Sequence, residues 1–152
     1  MDESAEAVDL ITLVQREHRE IEALLDEIER ADGGARRALF DNVVQKLEAH
    51  EAAEADIVHA LMRDLGAPDI ADDLIEEEKL AKQTLSRLDT SSPDFTREFK
   101  SFKEDVLIHA SHEEREEHPS IRARASHDVL VRMGERFEAA SDARTSTVDR
   151  SS

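Results

Sequence analysis

Residues 95–119 of the chain read FTREFKSFKEDVLIHASHEEREEHP, and the pattern within this stretch decides the fold. Apolar side chains recur there every three or four residues, which is the period of a helix with one buried face. These apolar positions are Phe95, Phe99, Phe102 and Val106. The same face continues through positions 109 and 113, and Pro119 is expected to end or kink the helix.

Three further segments of the same kind precede this one. Turn residues at 33–34, 66–68 and 90–93 separate them, and the first segment starts after a possible cap at Ser4. Short connections predict antiparallel neighbours, hence an all-α, up-down-up-down four-helix bundle. A short fifth, C-terminal helix is expected from about Asp128 to Ala140. We therefore predict one bundle domain over residues 5–140 and a flexible tail over 141–152.

The composition of the 152-residue chain excludes several classes of function. Without Cys there are no disulfides and no thiolate metal sites, so nitrogen and oxygen atoms must hold any metal ion. A net charge of −17 opposes binding to nucleic acid or to an anionic membrane face. No stretch approaches the roughly 20 apolar residues of a membrane span, and the acidic start is unlike a signal peptide. A cytoplasmic location is the expectation.

Six ionisable residues interrupt the apolar faces of the four predicted bundle helices. An ionised side chain there costs several kcal/mol unless it is paired or bound to a metal. Counting outward from each turn, at about 1.5 Å per residue, places all of them at a similar height near the middle of the bundle. The six candidate ligands are His18, His50, Glu54, Glu78, His109 and Glu113.

Two pairs among these residues repeat one spacing. His50 and Glu54, like His109 and Glu113, are four residues apart, so each pair shares one helix face a turn apart. Imidazoles and carboxylates together suit iron, manganese or zinc, and two bridging carboxylates indicate a pair of metals. A single buried histidine is more often a hydrogen-bonded core residue, so the prediction depends on the six acting together.

The remaining candidates lie next to this pattern or outside it. Glu51 and Glu114 each adjoin a motif residue and could supply an extra ligand, a contact to a ligand, or only a solvated surface. His59 and His118 each follow a motif histidine by nine residues, about half a turn out of phase in an α-helix, so both are predicted to be exposed. The other two histidines, at 112 and 127, also fall outside the apolar faces.

Three stretches of the sequence resemble the hemerythrin-like domain, or HHE cation-binding domain. They are the run Glu17-His18-Arg19-Glu20-Ile21, the motif His50-x-x-x-Glu54 and the run from His109 to Pro119. The resemblance covers about residues 8 to 140. It implies two non-haem iron ions joined by an oxo or hydroxo bridge, with zinc or manganese as the less favoured metals.

The resemblance also implies the roles of the ligands. His18 and His50 would hold one iron, His109 and a residue of helix three the other, and Glu54 and Glu113 would bridge them. The chain departs from the family because helix three has no histidine, and Glu78 occupies the matching position. The acid that follows His50, Glu51, is similar to a ligand in eukaryotic iron-sensing hemerythrin domains.

An anionic carboxylate in place of a neutral imidazole favours the ferric state of the site. The hypothesis is therefore redox turnover with oxygen, hydrogen peroxide or nitric oxide, catalase-like or oxygenase-like, instead of reversible oxygen carriage. A sensor that signals through a protein partner is the alternative of a different class. A third is a structural or hydrolytic zinc or manganese site. No nucleophilic Ser/His/Asp arrangement or phosphate-binding glycine loop is recognisable.

Overall fold

A computed structural model describes the backbone of residues 8–151 and the side chains of residues 8–143. Over this range every regular element is helical, which confirms the predicted all-α bundle. Two π-helical segments, Glu54–His59 and Glu113–Glu117, join α2 to α3 and α5 to α6 without a break. The α-helices are α1 Leu10–Arg30, α2 Gly33–Ala53, α3 Ala60–Asp64, α4 Pro68–Arg87, α5 Phe95–His112, α6 His118–Arg124 and α7 His127–Ser151.

The helix ends follow local chemistry. Asp9 caps α1, its Oδ1 accepting the Thr12 backbone N–H at 2.9 Å, whereas the predicted cap Ser4 lies outside the described residues. Gly33, the first residue of α2, has φ +56°, and Gly66, in the turn after α3, has φ +96°. Both lie in the left-handed region that favours glycine. The connections are accordingly short, as antiparallel packing requires.

The buried apolar side chains form two clusters. One contains Val14 of α1 together with Phe137 of α7, and the other contains Ile21 of α1 together with the three phenylalanines of α5. His18 lies between Val14 and Ile21 on the same buried face of α1. The predicted polar layer therefore separates two apolar ends of the bundle.

The fifth helix, α7, packs against α1 and α2. It begins one residue before the predicted Asp128, and its backbone stays helical beyond Ala140 to Ser151, a stretch without Gly or Pro to stop it. Ser141, at the start of the predicted tail, is buried and donates a hydrogen bond to Glu17 Oε2 at 3.0 Å. The flexibility of residues 141–152 stays a prediction. No helix in the described range is both long and apolar enough to cross a membrane.

Gly134 marks the closest approach of α7 to the start of α1. A Cβ atom there would lie 2.9 Å from the Val8 carbonyl oxygen and 3.0 Å from the Leu10 backbone nitrogen. We expect Gly134→Ala to lower the free energy of unfolding by about 1–3 kcal/mol, because backbone cannot yield as a flexible side chain does. Urea denaturation followed by circular dichroism measures the change.

The matched control is Gly34→Ala in the first turn of α2, where an added Cβ meets nothing within 4 Å. That substitution is expected to be neutral or to stabilise by up to about 1 kcal/mol. Equal stabilities of the two variants would contradict the close packing of α7 on α1.

Candidate metal centre

The structure brings all six predicted residues together in one layer, in which His109 is half-buried and the other five are buried. Their ligand atoms form two groups, in each of which the atoms lie within 4.8 Å of one another. His18 and His50 belong to the first group, and Glu78 and His109 belong to the second. Glu54 and Glu113 belong to both groups, so these two carboxylates lie where bridges between two metal ions would have to be.

The first group joins α1 and α2 to the two π segments. His18 Nε2 lies 3.0 Å from Glu113 Oε1 and 3.5 Å from Glu54 Oε2. His50 Nε2 lies 3.2 Å from the same oxygen of Glu54. Both imidazoles thus direct Nε2 toward the shared carboxylates, His18 from α1 and His50 from α2.

The second group joins α4 to α5. His109 Nε2 lies 3.1 Å from Glu78 Oε2 and 3.2 Å from Glu113 Oε2. Glu113 therefore directs one oxygen to each group, Oε1 to His18 and Oε2 to His109. This is the arrangement of a carboxylate that spans two cations.

Further carboxylates hold the outer nitrogen of each of these histidines. His18 Nδ1 contacts Glu114 Oε2 at 2.8 Å, and His50 Nδ1 contacts Glu17 Oε1 at 2.7 Å. His109 Nδ1 lies 2.8 Å from Oε1 of Glu77 on α4. A carboxylate on Nδ1 keeps a proton on that nitrogen, so Nε2 is the nitrogen that each ring would offer to a metal ion.

The prediction that His59 and His118 are exposed is wrong. Their relative exposures are 0% and 1%. A π segment lies between each of them and its motif histidine. A π turn takes up one extra residue, so nine residues advance the helix as about eight α-helical ones, and the side chain rotates from the outer face toward the core.

The two histidines have different surroundings once inside. His59 Nε2 lies 2.8 Å from Glu78 Oε2, within the metal layer. His118 stacks on the His18 ring at a centroid distance of 6.0 Å, and its Nδ1 accepts a hydrogen bond from the Gln15 amide at 3.1 Å. Burial and the neighbouring His18 lower the pKa of His118 to about 4, which keeps this imidazole neutral.

The charges of the layer compensate one another only in part. Burial alone would lower the pKa of His18, but Glu113 and Glu54 outweigh burial and raise it to about 9. Glu113 and Glu78 likewise outweigh burial at His109 and raise its pKa to about 12. Burial would raise the pKa of Glu54, yet His50 and His18 hold it well below its ordinary value.

Several buried polar atoms at the centre of the layer lack a hydrogen-bond partner among the described residues. Glu54 and Glu113 are both 0% exposed, and among the described residues neither carboxylate has a hydrogen-bond partner on either oxygen. Nε2 of His18 is likewise without one. In the metal-free layer the burial of these carboxylates is offset by ion-pair contacts with imidazole nitrogens at 3.0–3.7 Å. Carboxylate oxygens that are buried without hydrogen bonds and lie beside imidazole nitrogens form a donor set that fits metal ions.

Residues 9–121 match the family model of the hemerythrin HHE cation-binding domain. The chain belongs to the hemerythrin HHE cation-binding family. A search among curated proteins gave no match. The fold matches a crystal structure of a hemerythrin HHE cation-binding domain-containing protein from Mycobacterium kansasii, with a TM-score of 0.83 and 24% sequence identity. The match covers 92% of this chain and 89% of the other.

The family identifies this hemerythrin domain as a metal-binding module and confirms the resemblance indicated by the motifs. At 24% identity, the structural match establishes the fold alone. The buried histidines and glutamates of the layer fit the family's cation-binding role. Which metal ions are bound, and how many, belongs to the proposal below.

A small cavity of about 30 Å³ lies among the candidate ligands themselves, since its lining includes His18, His50, Glu54, His109 and Glu113. Apolar side chains that include Ile21, Leu47 and Val106 line the rest of it. Glu51, the residue after His50, contributes to the polar wall. Burial and the nearby charges of Glu78 and Glu54 raise the pKa of Glu51 to about 8. Glu51 therefore lies at the cavity, whereas Glu114 contacts the outer nitrogen of His18.

Proposed function

We propose that this hemerythrin domain holds two iron ions and reacts by redox turnover with oxygen, hydrogen peroxide or nitric oxide. The observation that carries the proposal is the pair of ligand groups sharing Glu54 and Glu113. Two shared carboxylates with imidazoles on either side favour a bimetallic centre over a single ion. The absence of Cys in the sequence is consistent with iron held by nitrogen and oxygen.

The candidate residues fall into metal ligands and residues that orient those ligands. His18 and His50 would hold one metal ion, and His109 with Glu78 the other. A pair of iron ions, when bound, supplies two one-electron redox steps at adjacent positions. Glu17, Glu77 and Glu114 hold the outer imidazole nitrogens, which fixes the tautomer and orientation of each ring.

The surroundings of the ligands suit a buried redox centre. The cavity between them is lined by His18, His50, Glu54, His109 and Glu113, so metal ions would fill it. Apolar side chains, among them Ile21, Leu47 and Val106, border the same space. Catalase-like and oxygenase-like turnover both stay within the proposal.

The charge of the layer favours turnover over reversible oxygen carriage. Glu78 adds a third carboxylate beside Glu54 and Glu113, and anionic ligands stabilise ferric more than ferrous iron. We expect Glu78→His to slow the autoxidation of the ferrous protein severalfold, measured as the rise of near-ultraviolet absorbance after admission of air. Glu76→His, at an exposed position of α4, serves as the control and should leave the rate unchanged.

An autoxidation rate that stays constant or increases in Glu78→His would refute the argument from charge. The chain has neither Trp nor Tyr, so ferric absorption in the near ultraviolet is free of strong protein bands. This absorption makes the rate measurable in dilute protein.

The proposed function is tested on protein reconstituted anaerobically with ferrous iron. We expect two iron ions per chain by quantitative metal analysis, followed by repeated consumption of hydrogen peroxide at a constant rate. Iron binding with a single oxidation and no turnover would identify the sensor alternative. Purified protein that retains zinc or manganese and excludes iron would overturn the proposal.

A further inference from the structure

The three histidines of the two ligand groups share one contact pattern. In His18, His50 and His109, Nε2 lies beside the inner carboxylates Glu54, Glu78 or Glu113. In each of them Nδ1 contacts a different, outer carboxylate at 2.7–2.8 Å. Such a pattern fits an imidazole that binds a cation through Nε2 while a carboxylate orients the ring.

His59 repeats this pattern in full. Its Nδ1 lies 2.7 Å from Glu117 Oε2, in the position of an outer carboxylate. Its Nε2 lies 2.8 Å from Glu78 Oε2 and 3.7 Å from Glu113 Oε2, both of which also contact His109. His59 and Glu117 are both 0% exposed, so water does not compete for these contacts.

The distances suit a shared metal ion. Ligand atoms bound about 2.1 Å from one ion are separated from each other by about 3.0 Å at right angles and about 4.2 Å when opposite. The separations of His59 Nε2 from Glu78 and Glu113 are close to or within this range. A neutral core histidine needs only one hydrogen-bond partner. Nε2 of His59 instead lies near two carboxylates, Glu78 and Glu113, that His109 also contacts.

We propose that His59 is a further metal ligand of this domain, binding through Nε2 the ion held by His109, Glu78 and Glu113. Glu117 orients His59 from behind. The inference rests on the proposed metal pair and adds a nitrogen donor that the sequence did not indicate. The first π segment is what brings His59 to the layer, and the second does the same for Glu117.

His118 provides a matched control within the same chain. It is as buried as His59 and follows its own motif histidine at the same nine-residue distance. Its Nδ1 partner is the Gln15 amide, and its Nε2 has no hydrogen-bond partner among the described residues. A buried histidine with a purely structural role should therefore behave like His118.

The test compares wild type, His59→Ala and His118→Ala after anaerobic loading with ferrous iron. We expect two ions per chain in wild type and in His118→Ala. In His59→Ala the second ion should be lost, or its dissociation constant raised at least about tenfold. If His59→Ala binds two ions with unchanged affinity, the proposed role of His59 is overturned and the proposed function stays intact. If the wild-type protein binds no metal, both proposals are overturned.

A measurement on the wild-type protein covers the case in which His59→Ala does not fold. With ¹⁵N-labelled histidine and zinc as the probe, nitrogens that bind the metal change their chemical shift relative to the metal-free protein. We expect the Nε2 signals of His18, His50, His59 and His109 to change in this way, and that of His118 to stay in its metal-free range. An unchanged Nε2 shift at His59 would overturn the proposal.

Discussion

Replacing Glu54 with alanine is expected to abolish the binding of both metal ions. Removal of a ligand that belongs to one group only would weaken the binding of one ion. Glu54 belongs to both ligand groups, and its Oε2 lies beside both His18 and His50. Without Glu54, each metal ion would lose a carboxylate, and less negative charge would remain to offset the repulsion between two neighbouring cations. Quantitative metal analysis after loading with ferrous iron measures the loss, and peroxide turnover should fall to the background rate.

Glu48→Ala is the control for this experiment. Glu48 lies on α2 like His50, but it is exposed and belongs to neither ligand group. We expect Glu48→Ala to retain the wild-type metal content and turnover. A Glu54→Ala protein that still holds two ions would show that Glu54 is not a bridge, and the bimetallic interpretation of the layer would then be wrong.

The sequence predicted the part of the layer that lies on regular α-helix or at the first residue of a π segment. From Ile11 onward the buried residues of α1 are spaced three or four apart, which is the period predicted for the bundle helices: Ile11, Val14, His18, Ile21, Leu25 and Ile28. A constant 100° per residue makes such faces readable from spacing alone. For the same reason the counts from the turns placed His18, Glu78 and His109 at one height.

The positions of His59 and His118 could not be predicted, because the period changes between the motif and these residues. Neither π segment carries a sequence signal of its own. The nearest hint is Pro119, whose ring would clash with the carbonyl four residues earlier in a regular α-helix. A π turn directly before the proline relieves this clash, so a proline within a metal motif favours a change of helical phase.

The outer carboxylates were recognised only in part, although a simple rule connects them. Glu17 adjoins His18 in sequence and contacts His50, while Glu77 adjoins Glu78 and contacts His109. A residue next to an inward-facing one is rotated by about 100°, toward the neighbouring helix. Acidic residues that adjoin an inward-facing ligand in the sequence are therefore candidates to orient the histidine of the adjacent helix. Charge composition alone would assign these acidic residues to a solvated surface.

The metal-free protein is expected to lose stability as the pH rises above about 6.5. Within the folded layer the pKa values of His18, His59 and His109 are about 9, 11 and 12, because neighbouring carboxylates outweigh the effect of burial. In the unfolded chain a histidine titrates near 6.5. The folded state therefore binds more protons between these values, so the contribution of the three histidines is fully present below pH 6.5 and is lost as the pH rises through 9 and beyond.

Two carboxyl groups act in the same direction. Burial, reinforced by carboxylate neighbours, raises the pKa of Glu51 to about 8, and burial raises that of Glu117 to about 7 despite the opposing effect of His59. Both groups keep a proton in the folded protein that the unfolded chain has already released, so their contribution is also lost with rising pH. The net charge of −17 adds repulsion at neutral and alkaline pH.

Thermal unfolding of chelator-treated protein, followed by circular dichroism, measures the effect. Several protons released together amount to several kcal/mol, so we expect Tm to fall by at least about 10 °C between pH 6.5 and pH 9.5. Metal ions replace the same protons and bind more tightly as the pH rises, so the metal-loaded protein should lose much less. His127→Ala, at an exposed position, should follow the wild-type curve. If Tm of the metal-free protein stays constant or rises over this interval, the imidazoles of the layer are not held in their charged form by its carboxylates.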